Sequence, residues 1–462
     1  MRGFKSVFGL GLLMAAVGLV FVGCGNTSER NAVIRIDPAA TYQTMTGWEL
    51  TADVAGNPQK PFWRPFKDDL LDGLVAEAGI NRVRLEITNN AESDGAEARK
   101  FINAEVKFRD YKPYRYSMEN DNDDPFVINP DGFNFVELDW HIEETVLPIK
   151  QRLEARGEKL WVNVCYVAFI EGYYPLKDPE EYAEFVLAAY QHMEAKWGFV
   201  PDTWEVILEP DQKPDMWTGR EIGEAVLAAG KRLEAHGYRP SFVGPSVLNM
   251  SFTVRYFEGI ASVPGATDYM SEIAYHRYAG SRPRNARRIA ELAEKHDLKT
   301  GMLELWFGHA NHHVLHEDLR LANNSSWQGS VVYSLYKMKE LPDGTSELRI
   351  SEDMRHNIQY FRHVRLGAKR IGSAVEKGGG VDPLAFVNPD GSTTVVVKTK
   401  GAANLKIKDL PAGSYSVSFA LPNRSRVLPD RIEIEAGEAL TTRIPNKGVI
   451  TISSRVAPDA PA

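Results

Sequence analysis

The sequence predicts an α/β fold: a (β/α)8 barrel followed by a C-terminal all-β sandwich. Two observations carry that expectation. Over residues 42–372, short apolar runs alternate eight times with segments of helical period. Such alternation argues for parallel strands joined by right-handed crossovers, and eight strands close a barrel. After Gly378, Gly379 and Gly380 the apolar period drops from helical to two, which reads as a small domain of short strands over residues 373–455.

Taken in order, the chain opens with Arg2 and Lys5 and then an apolar run, residues 7–22, short for a membrane span. It ends in Val22-Gly23-Cys24 before a polar stretch. This resembles a bacterial lipoprotein signal, which implies cleavage before Cys24 and acylation of its thiol. An uncleaved anchor and an ordinary signal peptide are the other readings, and each implies export. Residues 1–24 are therefore assigned to the signal, and 25–41 to a tether and a strand. That strand, residues 32–36, has no place in the barrel and is expected to join the sandwich.

Residues 42–50 supply the first barrel strand, and residues 68–78 a helix stopped by Gly79. Strands at 82–87 and 160–167 precede helices near 137–155 and 180–197. The fourth strand, 203–208, runs into Glu209, and Pro210 forbids further pairing. Strands at 241–244, 268–275, 299–304 and 330–335 complete the eight, with helices at 220–236, 284–296, 316–323 and 357–366. A polar insertion, residues 89–133, follows the second strand and carries Tyr111, Tyr114, Tyr116 and the run Asn120-Asp121-Asn122-Asp123-Asp124. It either shapes the cleft on the active face or is a solvated loop. Its acid run lacks the spacing of an EF-hand loop. Residues 456–462 read as a disordered tail.

A net charge of −8 without a basic block argues against nucleic acid as a partner. Cys165 lies in an apolar run with no partner left once Cys24 is acylated, so it is expected to be a buried free thiol.

Two glutamates end strands of buried character: Glu209 on the fourth and Glu304 on the seventh. Paired carboxylates at strand ends are the minimum equipment for cleaving a glycosidic bond. His276-Arg277-Tyr278 follows the sixth strand, and Arg84 sits on the second. Together these residues resemble clan A of the retaining glycoside hydrolases. The exit segment, residues 360–371, and a sandwich built from both chain ends are similar in layout to glycoside hydrolase family 30. The resemblance implies an exported, membrane-tethered enzyme cleaving an oligo- or polysaccharide by double displacement, with neither cofactor nor metal. Glu209 would be the acid/base and Glu304 the nucleophile, with Arg84 and Tyr278 orienting Glu304. The chain departs from the clan at Leu208, where an Asn is usual, and at Gly47-Trp48-Glu49-Leu50, where family 30 often carries a Gly-Phe-Gly-Gly-like stretch.

Alternatives stand beside these roles. Arg84 either serves the nucleophile or simply pairs with Glu86 or another carboxylate at the barrel end. His276 either belongs to the site or is a satisfied core histidine. Trp48 and Trp306 either stack on sugar rings or plug the barrel mouth. Glu49, Glu171 and Glu272 are rival carboxylates without a supporting motif. His309, His312, His313 and His316 cluster, and 312 with 316 has zinc-ligand spacing, but no His-Glu-x-x-His is present and surface histidines are the plainer reading. At the level of function the rival is a lipoprotein that binds glycan without cleaving it, a degenerate hydrolase or a solute-binding component.

Acylation of Cys24 is open to direct test. Cys24→Ser should release the protein from membranes and abolish labelling by a clickable fatty acid; unchanged labelling contradicts the assignment.

Overall fold

The structure, a computed structural model, describes residues 30–52, 63–169, 174–212, 217–306, 309–332, 334–351 and 354–455. The signal segment with Cys24, the rival Glu171 and the tail 456–462 lie outside these. Among the described residues no helix is long and apolar enough to cross a membrane.

The chain enters through β1 (Arg30–Thr44) and turns at Gly47, whose φ of 127° a side chain would resist, into the barrel. Eight parallel strands close it: β2 (Gly47–Thr51), β3 (Arg82–Thr88), β4 (Trp161–Val167), β5 (Thr203–Glu205), β6 (Phe242–Asn249), β7 (Met270–Ala279), β8 (Lys299–Glu304) and β9 (Asn324–Val331). Helices cover its outer face. The helix Pro179–Trp197 starts at an Asp178 cap with Pro at its first turn and stops at left-handed Gly198. The helix Gly219–Ala235 starts at a capping box, in which Thr218 and Glu221 satisfy each other's backbone N–H.

Alternation along β3 sorts its residues. Val83, Leu85 and Ile87 face outward and join the core beneath the helices, while Arg82, Arg84 and Glu86 belong to the inner face. Arg82 is wholly buried and donates to Glu49 at 2.6 Å and to Glu272 at 3.0 Å. Gly301 makes room for that pairing, because a Cβ there would meet a Glu272 oxygen at 2.1 Å. Glu49 and Glu272, rival carboxylates in the sequence, are therefore locked by Arg82 inside the barrel.

Past the barrel, a hairpin of β10 (Tyr336–Glu340) and β11 (Ser346–Ile350) pairs with itself. Strand β12 (Lys369–Lys377) then opens the second domain, where β1 lies between β12 and the parallel strand Ala403–Lys408. The sheet continues through β13 (Val381–Val387) and β14 (Thr393–Thr399) to strands near the C-terminus. Its core gathers Ile34, Ile36, Leu405, Val417 and Ile450.

Five sequence expectations are corrected. The sandwich begins at Lys369 and not at 373, and β1 runs to Thr44, so the first barrel strand starts at Gly47 and not at 42. The eighth strand is Asn324–Val331, polar because it faces the buried charges, and not the apolar run at 330–335. The last helix shrinks to Ile358–Phe361. The insertion is no bare loop: helices Ala96–Ile102 and Phe108–Arg115 enclose a small core of Ala98, Phe101 and Tyr111.

Ile34 is fully buried in the shared strand. Ile34→Ala should cost about 2–5 kcal/mol, and limited proteolysis should cut the C-terminal domain first. Unchanged protease resistance of that domain would contradict the role of β1.

Candidate active site

Glu304 closes β8, and its carboxylate is held from two sides. Arg84 Nη2 donates to Oε2 at 2.6 Å and the Tyr278 hydroxyl to Oε1 at 2.9 Å. Arg84 also donates to Glu86 at 3.0 Å and to the Leu303 carbonyl at 3.3 Å, so it serves both partners foreseen for it. Burial alone would weaken its hold on a proton. The charges of Glu304, Cys165, Glu86 and Glu205 together outweigh that and hold the guanidinium well above its usual range. The half-buried Trp306 ring lies 5.4 Å from the guanidinium carbon, and its Nε1 donates to Gln328 at 2.9 Å.

Glu209 stands four residues beyond the end of β5, where the ladder has run out. Its φ of 49° lies in the left-handed region that a side chain usually avoids. The bend is fixed by its N–H to the Ser246 carbonyl and by the Gln212 N–H to its own carbonyl, both at 3.0 Å. His276 Nδ1 lies 2.8 Å from Glu209 Oε1, and the Gln212 amide donates to the other oxygen. His276 is fully buried, which favours its neutral form. The hydrogen bond to Glu209 and the charges of Glu304 and Glu209 outweigh burial and raise its pKa above the ordinary 6.5.

One ligating atom each from Glu209, His276 and Glu304 lies within 4.8 Å of the others. The nearest oxygens of the two carboxylates are therefore no more than 4.8 Å apart. Direct attack on a sugar needs carboxyls about 5–5.5 Å apart, whereas an interposed water needs roughly 6.5–9.5 Å. Such a span would also suit a small cation, but Arg84 and Tyr278 already occupy both Glu304 oxygens.

Over the pair opens a cleft of about 210 Å³, lined among others by Glu86, Arg115, Tyr116, Leu208 and Trp306. Arg115 and Tyr116 come from the insertion. Arg115 is buried and donates to Glu137 at 2.7 Å and to Glu86 at 3.4 Å. Leu208 joins Val167 and Cys165 in an apolar wall against which Tyr116 packs. Cys165 is buried and free, and burial pushes its thiol pKa well above the usual range.

The structure thus brings Glu209, Glu304, Arg84, His276, Tyr278 and Trp306 to one end of the barrel. Trp48 is elsewhere, a correction to its expected role at the sugar. It is fully buried on the outer face, stacked 4.6 Å from Phe361 with its Nε1 donating to the Val364 carbonyl at 2.6 Å. The histidines following β8 do not converge on a metal. His312 stacks on His356 at 4.3 Å in a separate groove of about 890 Å³ at the barrel–sandwich seam. His316 is buried and bonds the Tyr360 hydroxyl at 2.8 Å, so it is no surface residue. Sequence reasoning missed Arg115 and Gln212. The only signal for Gln212 was its place three residues after Glu209, and for Arg115 its tyrosine-rich setting.

A closed parallel barrel with one carboxylate at the end of its seventh strand and another four residues past its fourth, joined to a sandwich from both chain ends, has the layout of clan A glycoside hydrolases. Within that clan its arrangement is similar to that of family 30. The family described as the glycosyl hydrolase family 30 beta sandwich domain matches residues 367–427. No curated protein matches the sequence. Among solved structures, the catalytic domain of the GH30 xylanase C from Talaromyces cellulolyticus is similar at 15% identity and TM-score 0.66, with 92% of this chain and 100% of that one covered. A conserved exported protein from Bacteroides fragilis is similar at 14% identity and TM-score 0.66, covering 91% and 100%. An endo-beta-1,6-glucanase is similar at 15% identity and TM-score 0.60, covering 91% and 93%.

The raised His276 pKa has a testable sign. Its charged form persists to higher pH than in a free imidazole, so the stability it contributes is complete below pH 6.5 and is lost as pH climbs through the raised value. By NMR the His276 ring should titrate above 6.5 and move down in Glu209→Gln. A ring that titrates at or below 6.5 in the unaltered protein contradicts the arrangement.

Proposed function

We propose that this chain is a retaining glycoside hydrolase, exported and tethered to a membrane through lipid on Cys24, that cleaves an oligo- or polysaccharide. The observation that carries the reading is the short span between the Glu209 and Glu304 carboxylates, with separate partners holding each. A Glu304 oxygen attacks the anomeric carbon as its bond to the leaving oxygen breaks, and Glu209 gives that oxygen its proton. A glycosyl ester on Glu304 and an ionised Glu209 result. Water then attacks the same carbon, Glu209 takes its proton, and Glu304 departs. Arg84 and Tyr278 hold the nucleophile ionised and aimed, and His276 positions Glu209. Solved neighbours named as a xylanase and a beta-1,6-glucanase support a glycan substrate without choosing the sugar.

A second reading, a glycan-binding lipoprotein without activity, is favoured by Leu208, which gives the wall beside Glu209 no hydrogen-bonding side chain. Kinetics on two kinds of substrate separate the readings. Glu304→Gly should be inactive on all substrates and regain activity with azide. Glu209→Ala should lose about 10²–10⁴-fold on the natural glycan, the range expected for a lost general acid. It should lose far less on an aryl glycoside whose leaving group needs no proton, and its alkaline pH limb should vanish. Equal losses on both substrates with that limb intact remove Glu209 from the role. No turnover of any aryl glycoside or polysaccharide by the unaltered protein selects the binding reading.

A further inference from the structure

The groove at the barrel–sandwich seam has no part in the catalytic chemistry, yet at about 890 Å³ it far exceeds the cleft over the carboxylates, about 210 Å³. Its walls come from both domains. The barrel gives the helical stretch that starts at His312, and the segment at His356. The sandwich gives the ends of β13, β14 and the last strand, Gly448–Ser453. Among the described residues lining it, Arg320, Lys398, Lys400 and Lys447 carry positive charge and Asp382 alone carries negative. The whole chain has a net charge of −8, so this excess runs against its composition.

These charges are not balanced in place. Asp382 pairs with Arg320 and lies 3.7 Å from the Lys398 ammonium. Thr399 pairs with Gly448 where the ladder ends, so Lys400 and Lys447 come next on facing strands and line the same groove. Both are exposed, and among the described residues neither has a carboxylate partner. Like charges set opposite each other repel, and an anion from outside relieves them. A row of imidazoles lines the same groove. His312 stacks on His356 with ring centres 4.3 Å apart and planes at 20°, and the exposed His313 ring lies 4.0 Å from His312. Burial, with neighbouring imidazoles and cations, pushes the His312 pKa down to about 2 and that of His356 to about 4. Both rings are therefore neutral at pH 7. They supply N–H donors and flat apolar surface, while the lysines supply the charge.

We propose that this groove is a second glycan site, apart from the catalytic cleft, that binds an acidic segment: a run of sugars bearing carboxylate or sulfate groups. Lys400, Lys447 and Lys398 meet the anionic groups through charge-assisted hydrogen bonds. His312, His313 and His356 meet sugar hydroxyls and ring faces. A membrane surface fits less well, because phosphates on a flat bilayer reach the exposed lysines but not the buried His356. The choice of a glycan as occupant rests on the hydrolase reading, whereas the anion site rests on the groove alone. An acidic chain held there stays on the protein between cleavages, so the groove selects acidic glycans without touching the reacting bond.

The test is calorimetric titration of the full chain, alongside Glu304→Gly to silence turnover, against a short oligogalacturonate and a sulfated oligosaccharide. Polyglutamate and vesicles of anionic phospholipid are the comparisons. Expected is saturable binding of at least one acidic oligosaccharide that weakens as salt rises; which of the two binds identifies the anion. Replacing both lysines, Lys400→Ala with Lys447→Ala, should weaken that binding about tenfold or more. His313→Ala should weaken it further without affecting polyglutamate. All three residues are exposed, so these variants keep the fold. No binding of either oligosaccharide overturns the proposal, as does binding undiminished without the two lysines. Polyglutamate or vesicles bound as tightly as the oligosaccharides through the same lysines also overturn it, and assign the groove to another polyanion. A chain that binds acidic glycan but turns over none fails the hydrolase reading alone, and one that turns over glycan without this binding fails the present proposal alone.

Discussion

Two arginines two positions apart on one strand set the terms for the rest of the barrel. Because β3 alternates, Arg82 and Arg84 both belong to the inside, one layer above the other. The lower neutralises Glu49 and Glu272, and the upper neutralises Glu304 and Glu86. A buried cation is tolerable only if paired and hydrogen-bonded, and each arginine recruits two carboxylates. The chemistry at the rim thus stands on a charged floor. Glu304 cannot relax away from its place without leaving Arg84 with Glu86 alone beside it.

The cleft is built asymmetrically on this floor. Barrel strands supply Glu304 and the side chains that hold it. The insertion supplies Arg115 and Tyr116, and the turn into Glu209 supplies Leu208. Rigid elements carry the groups that must be aimed, whereas groups that select a ligand come from a segment free to vary between proteins of one fold. The small core of Ala98, Phe101 and Tyr111 stiffens that segment, and Tyr111 also donates to Glu137, the carboxylate that holds Arg115.

Much of the architecture was legible because period and punctuation agree with the fold. Gly79 and Gly198 stop helices where the pattern says they should, and the change to period two after Gly380 marks the second domain. Glu209 and Glu304 were legible as carboxylates where buried strands end. Trp48 was not, because a tryptophan beside a strand end looks the same whether it faces a sugar or a helix. Its side of β2 is decided by where the strand begins, and that depended on β1 reaching Thr44. The strand Asn324–Val331 hid for a related reason. It faces buried charges and so lacks the apolar run expected of a barrel strand. Arg115 acts through contacts across the fold, which spacing along the chain does not encode, and Gln212 meets Glu209 locally but at a spacing that carries no motif.

The placement of β1 bears on the order in which the chain folds. Arg35 on β1 meets Glu376, 341 positions away, and the strand is flanked on both sides by segments from beyond the barrel. Contacts so distant in sequence reward closure late, while the strand–helix units between them are local and form early. The barrel therefore assembles while β1 waits as an unpaired strand with alternating apolar residues, a template for pairing with other chains. For such a chain the interval before β12 arrives is the one in which residues 30–44 are open to wrong pairing.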